Sequence, residues 1–153
     1  MRGRYFEKPA ATAFPNEGDD KYDGMLVVRS ELRSMCSHHH QPVVVIAYIG
    51  IIPNKMVIGL SKYTRIAQWV ARRGTLQEQL CNEIVRELQE ATDTEDLAVY
   101  IHAVHGCCEN RGIMAHSSLT QTTVLKGRFN DADVKKEFFD DIMLQQQYAG
   151  GKG

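Results

Sequence analysis

Apolar residues fall along this chain in two patterns, short continuous runs and stripes that repeat about every three and a half residues. Leu26, Val27 and Val28 carry the first strand signal, over residues 25–32, and after a histidine-rich interruption residues 43–52 resume as a strand. Pro53 and Asn54 then signal a turn, and residues 55–59 are expected to return as a short strand, making a hairpin. Residues 61–73 read as a helix capped by Ser61, with Ile66, Trp69 and Val70 on one side and Gly74 at its end. A second helix, over 76–91, repeats Leu80, Ile84 and Leu88 every four residues, with Val85 widening the stripe. Thr75 and Glu78 have the spacing of a capping box at its start. Residues 97–104 are strand-like, and 117–128, with Thr120, Thr122, Thr123 and Val124, read as the antiparallel return. A helix over 131–147 places Val134, Phe138 and Ile142 on one face, and a disordered tail is expected over 148–153. Residues 1–23 show no apolar period; Pro9, Pro15, Gly18 and the acidic Glu17, Asp19 and Asp20 describe a flexible arm.

The order hairpin, two helices, hairpin, terminal helix predicts an α+β fold. Its simplest form is an antiparallel four-stranded sheet with two helices layered on one face, plus a C-terminal helix. At 153 residues the chain suits one domain, placed at 24–147, with enough length to bury a core. A four-stranded sheet leaves two edges open. Pairing them between copies predicts a ring-like homo-oligomer, the alternative being an edge covered by a helix.

Charge and cysteine content narrow the partners. A formal net charge of −1 favours neither nucleic acid nor an acidic membrane surface. The longest apolar run, 42–53, is too short to span a bilayer as a helix. Four cysteines (Cys36, Cys81, Cys107, Cys108) are too few for a secreted disulfide scaffold, and no signal-peptide pattern opens the chain, so a cytoplasmic protein is expected.

Two stretches gather metal-ligand chemistry: Ser34-Met35-Cys36-Ser37-His38-His39-His40-Gln41, and His105-Gly106-Cys107-Cys108. Cys36 and His39 stand three apart, a spacing at which a tight turn aims a thiolate and an imidazole at one ion. A third ligand from the downstream segment completes Cys36, His39 and Cys107, leaving a fourth position on zinc for water. The competing reading is that Cys107 or Cys108 is a small apolar core side chain. His38 and His105 flank these positions, with a pKa range suited to proton transfer, though either is also a candidate ligand or partner of one. Lys62 and Arg65, one helical turn apart, form with Arg111 a set able to clamp a phosphate chain; the plainer alternative is a solvated helix face. Glu78 has a local explanation in the capping box. It is also able to accept two donors from a planar base such as guanine, beside the amide of Gln77.

Taken together these residues resemble the GTP cyclohydrolase I family. The resemblance runs from about residue 34 to 142. It rests on Ser34 to His39, Tyr48-Ile49 through Pro53-Asn54, Val57-Ile58-Gly59-Leu60-Ser61-Lys62 with Arg65, and Gln77-Glu78-Gln79-Leu80. It continues through Ala103-Val104-His105-Gly106-Cys107 with Arg111-Gly112, Thr120 to Thr123, Gly127-Arg128-Phe129 and Glu137-Phe138. It implies the tunnelling fold and a homo-oligomeric ring, in the family a decamer of two stacked pentamers. It further implies Zn2+ on Cys36, His39 and Cys107, with His38 and His105 as acid-base residues. Gln77 and Glu78 would hold the guanine edge, Lys62, Arg65 and Arg111 the triphosphate, and Ser61 would assist the ribose steps. The implied reaction is zinc-dependent hydrolysis of GTP at C8, release of formate and rearrangement to 7,8-dihydroneopterin triphosphate, from which folate, biopterin and deazaguanine routes begin.

Three departures from the family pattern stand out. Ser37 replaces an acidic residue beside the metal position, His40 and Cys108 are extra donors, and a short arm stands where longer members have a helical N-terminal region. Alternatives of other kinds are a same-fold zinc enzyme that stops early or acts on a related purine or pterin, and a non-catalytic nucleotide-binding ring module.

Overall fold

The structure is a computed structural model that describes residues 8–10, 12–35, 42–73, 76–105 and 118–150. Its elements are β1 (Ala13–Pro15), β2 (Leu26–Met35), β3 (Pro42–Ile51), β4 (Met56–Ile58), α1 (Leu60–Ala71), α2 (Gln77–Thr92), β5 (Leu97–His105), β6 (Ser118–Leu125), a 3-10 turn (Gly127–Asn130) and α3 (Ala132–Gly150). Four strands form one antiparallel sheet, the architecture expected from the sequence, in the order β2-β3-β5-β6. Alternate residues divide its faces. Leu32, Val45, Ala47, Ile49, Ile51, Val99, Ile101 and Ala103 meet Ile66, Val70, Leu80, Ile84 and Leu88 of α1 and α2 in one buried core. Tyr48, Ile52 and Ala98 meet Phe129, Phe138 and Ile142 in a smaller one. The C-terminal helix therefore covers the face opposite α1 and α2. Gly50 allows this: a Cβ there would lie 2.7 Å from the Phe138 ring and 2.9 Å from that of Phe129.

The local assignments need correcting in six places. Residues 55–59 do not return along 43–52, because β3 is central and both its edges are taken, by β2 and β5. Met56–Ile58 pairs instead with Ala13–Pro15 in a separate two-stranded ladder, and the first hairpin is β2–β3. The stretch expected to be a flexible arm thus supplies a strand, too short at three residues to show a period. It is tied down further by Lys8, which pairs with Glu87 and Glu90 of α2 and lies 5.9 Å from the Trp69 ring centroid. Helix α1 starts at Leu60 on an extended Gly59 with no side-chain cap, so Ser61 lies inside the first turn. Helix α2 is preceded by Leu76 at the cap position, again without a side-chain cap, so the proposed box is out of register by one residue. Strand β6 ends at Leu125, where Gly127 (φ +60°) turns the chain; a Cβ there would clash with Asp96 Oδ1. Helix α3 continues to Gly150, with no breaker before the glycines, where a disordered tail was expected from 148. No described helix is long and apolar enough to cross a membrane.

Candidate active site

The sheet has two distinct ends. At one end β2 finishes, β3 begins, β5 finishes and β6 begins: Met35 is in register with Pro42, Val44 with Val104 and His105 with Ser118. β2 and β5 are therefore two strand spacings apart, about 10 Å, where they finish. The candidate ligand segments follow directly from these strand ends. Cys36, His39 and Cys107 themselves, with His38 and Arg111, lie outside the described residues. His105 is placed through its backbone, as the last residue of β5. Among the described residues no group of three or more His, Cys, Asp or Glu is arranged to hold a metal. Cys81 can be set aside as a ligand: it is fully buried, its thiol donates to the Val99 carbonyl at 3.4 Å, and burial pushes its pKa up to about 12. A thiol so held is not a thiolate at neutral pH.

Gln77 opens α2 at this same end and reaches across to β6. Its Nε2 donates to the Thr120 carbonyl at 3.2 Å and to Thr122 Oγ1 at 3.0 Å. Its Oε1 is buried and has no hydrogen-bond partner among the described residues. The orientation follows from chemistry, since the flipped amide would set two carbonyl oxygens against each other. Glu78, the next residue, is exposed in the first turn of α2. Among the described residues its carboxylate has no hydrogen-bond partner, and the helix N-terminus favours a negative charge there. Thr120 and Thr122 were visible in the sequence as part of a threonine run. Their task of holding Gln77 was not, because it joins residues more than forty positions apart.

Ser61, Lys62 and Arg65 lie elsewhere. Helix α1 runs beside β2 in the same direction, as Ser30 Oγ to Thr64 Oγ1 (2.7 Å), Gln68 Nε2 to the Arg33 carbonyl (3.2 Å) and Ser34 Oγ to the Ala71 carbonyl (3.1 Å) establish. It is the end of α1, at Ala71, that adjoins the ligand-bearing end of the sheet. Ser61 is ten residues back, about 15 Å at the helical rise. Ser61 and Arg65 are exposed and Lys62 half-buried. Across the sheet, β2 and β6 are three strand spacings apart, about 14 Å. One chain thus brings the strand ends and Gln77–Glu78 together, and keeps Ser61, Lys62 and Arg65 away from them in both directions.

His102, unassigned on sequence, belongs to the opposite face. Its ring centroid lies 6.2 Å from those of Tyr48 and Tyr100. Burial lowers its pKa, and the Arg29 guanidinium lowers it further.

The family model of GTP cyclohydrolase I matches residues 2–143. The GTP cyclohydrolase 1 of Flavobacterium johnsoniae is 41% identical over 143 residues, covering 93% of this chain and 63% of that protein. That of Clostridium botulinum (strain Langeland) is 44% identical over 116 residues, covering 73% of this chain and 58% of that one. The chain thus spans less than two thirds of the length of these relatives. Among solved structures, the archaeosine synthase QueF-Like in the apo form has a TM-score of 0.49 at 10% identity, covering 65% of this chain and 91% of that one.

Proposed function

The chain belongs to the GTP cyclohydrolase I family, and from this we propose that it hydrolyses GTP at C8, releases formate and rearranges the product to 7,8-dihydroneopterin triphosphate. The observation that carries the reading is the buried, unpartnered Oε1 of Gln77 at the end of the sheet from which the Cys36–His39 and Cys107 segments leave. Both amide hydrogens of Gln77 are committed to Thr120 and Thr122, so what it offers a ligand is an acceptor. Guanine presents N–H donors along one edge, and the exposed carboxylate of Glu78 is a second acceptor beside it.

Two thiolates and an imidazole, from Cys107, Cys36 and His39, form a donor set suited to zinc, and the finish of β2 and β5 at the same end of the sheet, two strand spacings apart, supports bringing them together. Zinc held there would supply Lewis acidity, lowering the pKa of a water toward 7. His105, at the end of β5, donates a proton to the imidazole-ring nitrogen of guanine as its bond to C8 opens. His38 and Ser61 act in opening and rearranging the ribose. Lys62, Arg65 and Arg111 hold the triphosphate through charge-assisted hydrogen bonds.

The separation of Ser61, Lys62 and Arg65 from Gln77 supports a homo-oligomeric ring. β2 and β6 are the sheet edges and run in opposite directions, so β6 of one copy can pair antiparallel with β2 of the next. That joint sets α1 of one copy beside α2 of its neighbour. It removes the lateral separation and leaves the lengthwise one for the nucleotide to bridge.

The test is to incubate zinc-loaded protein with GTP, following formate and, after oxidation, pterin absorbance and fluorescence. Formate with a pterin is expected. Formate without a pterin would mean that the ring opens but the ribose steps fail beside Ser37. Neither product, with zinc bound, would refute the proposal in favour of an enzyme for a related purine or pterin or of a binding module.

A further inference from the structure

We infer that Asn16 is a positioning residue for the phosphate-binding start of α1: its hydrogen bonds to the turn after β3 set where Ser61, Lys62 and Arg65 are presented to the nucleotide. The inference rests on the phosphate reading of those residues proposed above.

Asn16 follows β1 and is only 8% exposed, one of few buried polar side chains among the described residues. Its Nδ2 donates to the carbonyls of Asn54 and Tyr22, both at 2.8 Å, and its Oδ1 accepts the Tyr22 N–H at 2.9 Å. Its own backbone N–H donates to the Lys55 carbonyl at 2.7 Å. Two donors and one acceptor are required at fixed positions, which aspartate, lacking the donors, cannot supply.

The consequence lies downstream. Asn54 and Lys55 lead directly into β4, whose pairing in the sheet ladders is with β1 alone, and β4 leads through Gly59 into the first turn of α1. That first turn has no side-chain cap, and Leu60, Ser61 and Arg65 on its outer side are exposed. Tyr63 and Ile66 anchor the inner side of α1 in the core, and Ile58 anchors β4. What fixes the outer side is the approach of the chain, and Asn16 with the β1–β4 ladder fixes that approach. Residues 13–16 thus act on the phosphate-binding helix from about forty residues upstream, without touching nucleotide.

The experiment compares the wild-type chain with Asn16→Ala, Asn16→Ser, Lys62→Ala and the Asn16→Ala/Lys62→Ala pair, measuring kcat and KM for GTP by formate release. Asn16→Ala is expected to raise KM about tenfold, the equivalent of a lost hydrogen bond or two, with kcat within about twofold. Asn16→Ser keeps a hydroxyl able to donate and accept on a smaller side chain and should show the same split more mildly, which carries the test should the alanine variant fail to fold. The double variant should raise KM by less than the product of the single effects, since both changes act on one element. A fall in kcat at unchanged KM would mean a general structural role and overturn the inference, as would full multiplicativity. If Lys62→Ala raises KM and both Asn16 variants behave as wild type, the positioning inference alone fails. If Lys62→Ala leaves KM unchanged, the phosphate reading fails and takes the inference with it.

Discussion

Replacing Gln77 by leucine keeps the volume of the side chain and removes its amide. Two hydrogen bonds are lost, to the Thr120 carbonyl at 3.2 Å and to Thr122 Oγ1 at 3.0 Å, each worth about 1 kcal/mol net. The same change removes the buried Oε1, whose lack of a partner already penalises the folded state by about 1 kcal/mol or more. The net loss of stability should therefore be about 1 kcal/mol, well below the loss for two buried hydrogen bonds with nothing to offset it. The effect on GTP should be larger. A site built to accept an N–H and left apolar leaves that donor unpaired, so KM should rise at least about tenfold. Urea unfolding measures the first number and the initial rate of formate release against GTP concentration the second. A variant destabilised by about 2 kcal/mol or more with KM unchanged would refute the reasoning, since Gln77 would then be a strut between α2 and β6 and no more.

Gly50→Ala forces a methyl group to 2.7 Å from the Phe138 ring and should destabilise the fold by about 1–3 kcal/mol in urea, with much of the loss recovered on adding Phe138→Leu. His102 has a pKa below that of an unfolded histidine, so the unfolded chain takes up its proton first; stability is full above about pH 6.5 and falls as pH is lowered through that value. His102→Phe should flatten this dependence, and an unchanged difference in urea midpoint between pH 7.5 and 5.5 would count against the assignment. Cys81 should resist a thiol reagent at pH 8 in the native protein and react only on denaturation, as peptide mapping after labelling would report.

The elements themselves were legible because their periods are local. Continuous apolar, β-branched-rich runs over residues 43–52 and 97–104 and a four-residue repeat through Leu80, Ile84 and Leu88 need no distant partner to be recognised. Helix starts were less so. Ser61 and Thr75 are good capping residues, yet the chain begins its helices after Gly59 and Leu76, where the approach from β4 and the packing of Leu80 set the first turn. The pairing of β4 with β1 was hidden for a related reason: a strand of three residues carries almost no pattern, and its partner is decided by which sheet edges remain free.

For the site, the sequence by itself determined the chemistry: thiols and imidazoles at ligand spacing, a basic pair one helical turn apart, and a carboxylate beside an amide, since donor type belongs to the residue. The tertiary structure alone decided their arrangement. The strand order β2-β3-β5-β6 brings the ends of β2 and β5 to within two strand spacings of each other at one end of the sheet, although some seventy residues separate them in the chain. Thr120 and Thr122 turn an amide of either polarity into an acceptor by occupying its hydrogens. The three strand spacings between β2, which α1 flanks, and β6, which Gln77 reaches, hold Ser61, Lys62 and Arg65 away from Gln77, and this lateral gap is what a second copy would close in the proposed site. These outcomes depend on which distant surfaces bury each other, and no local pattern encodes that.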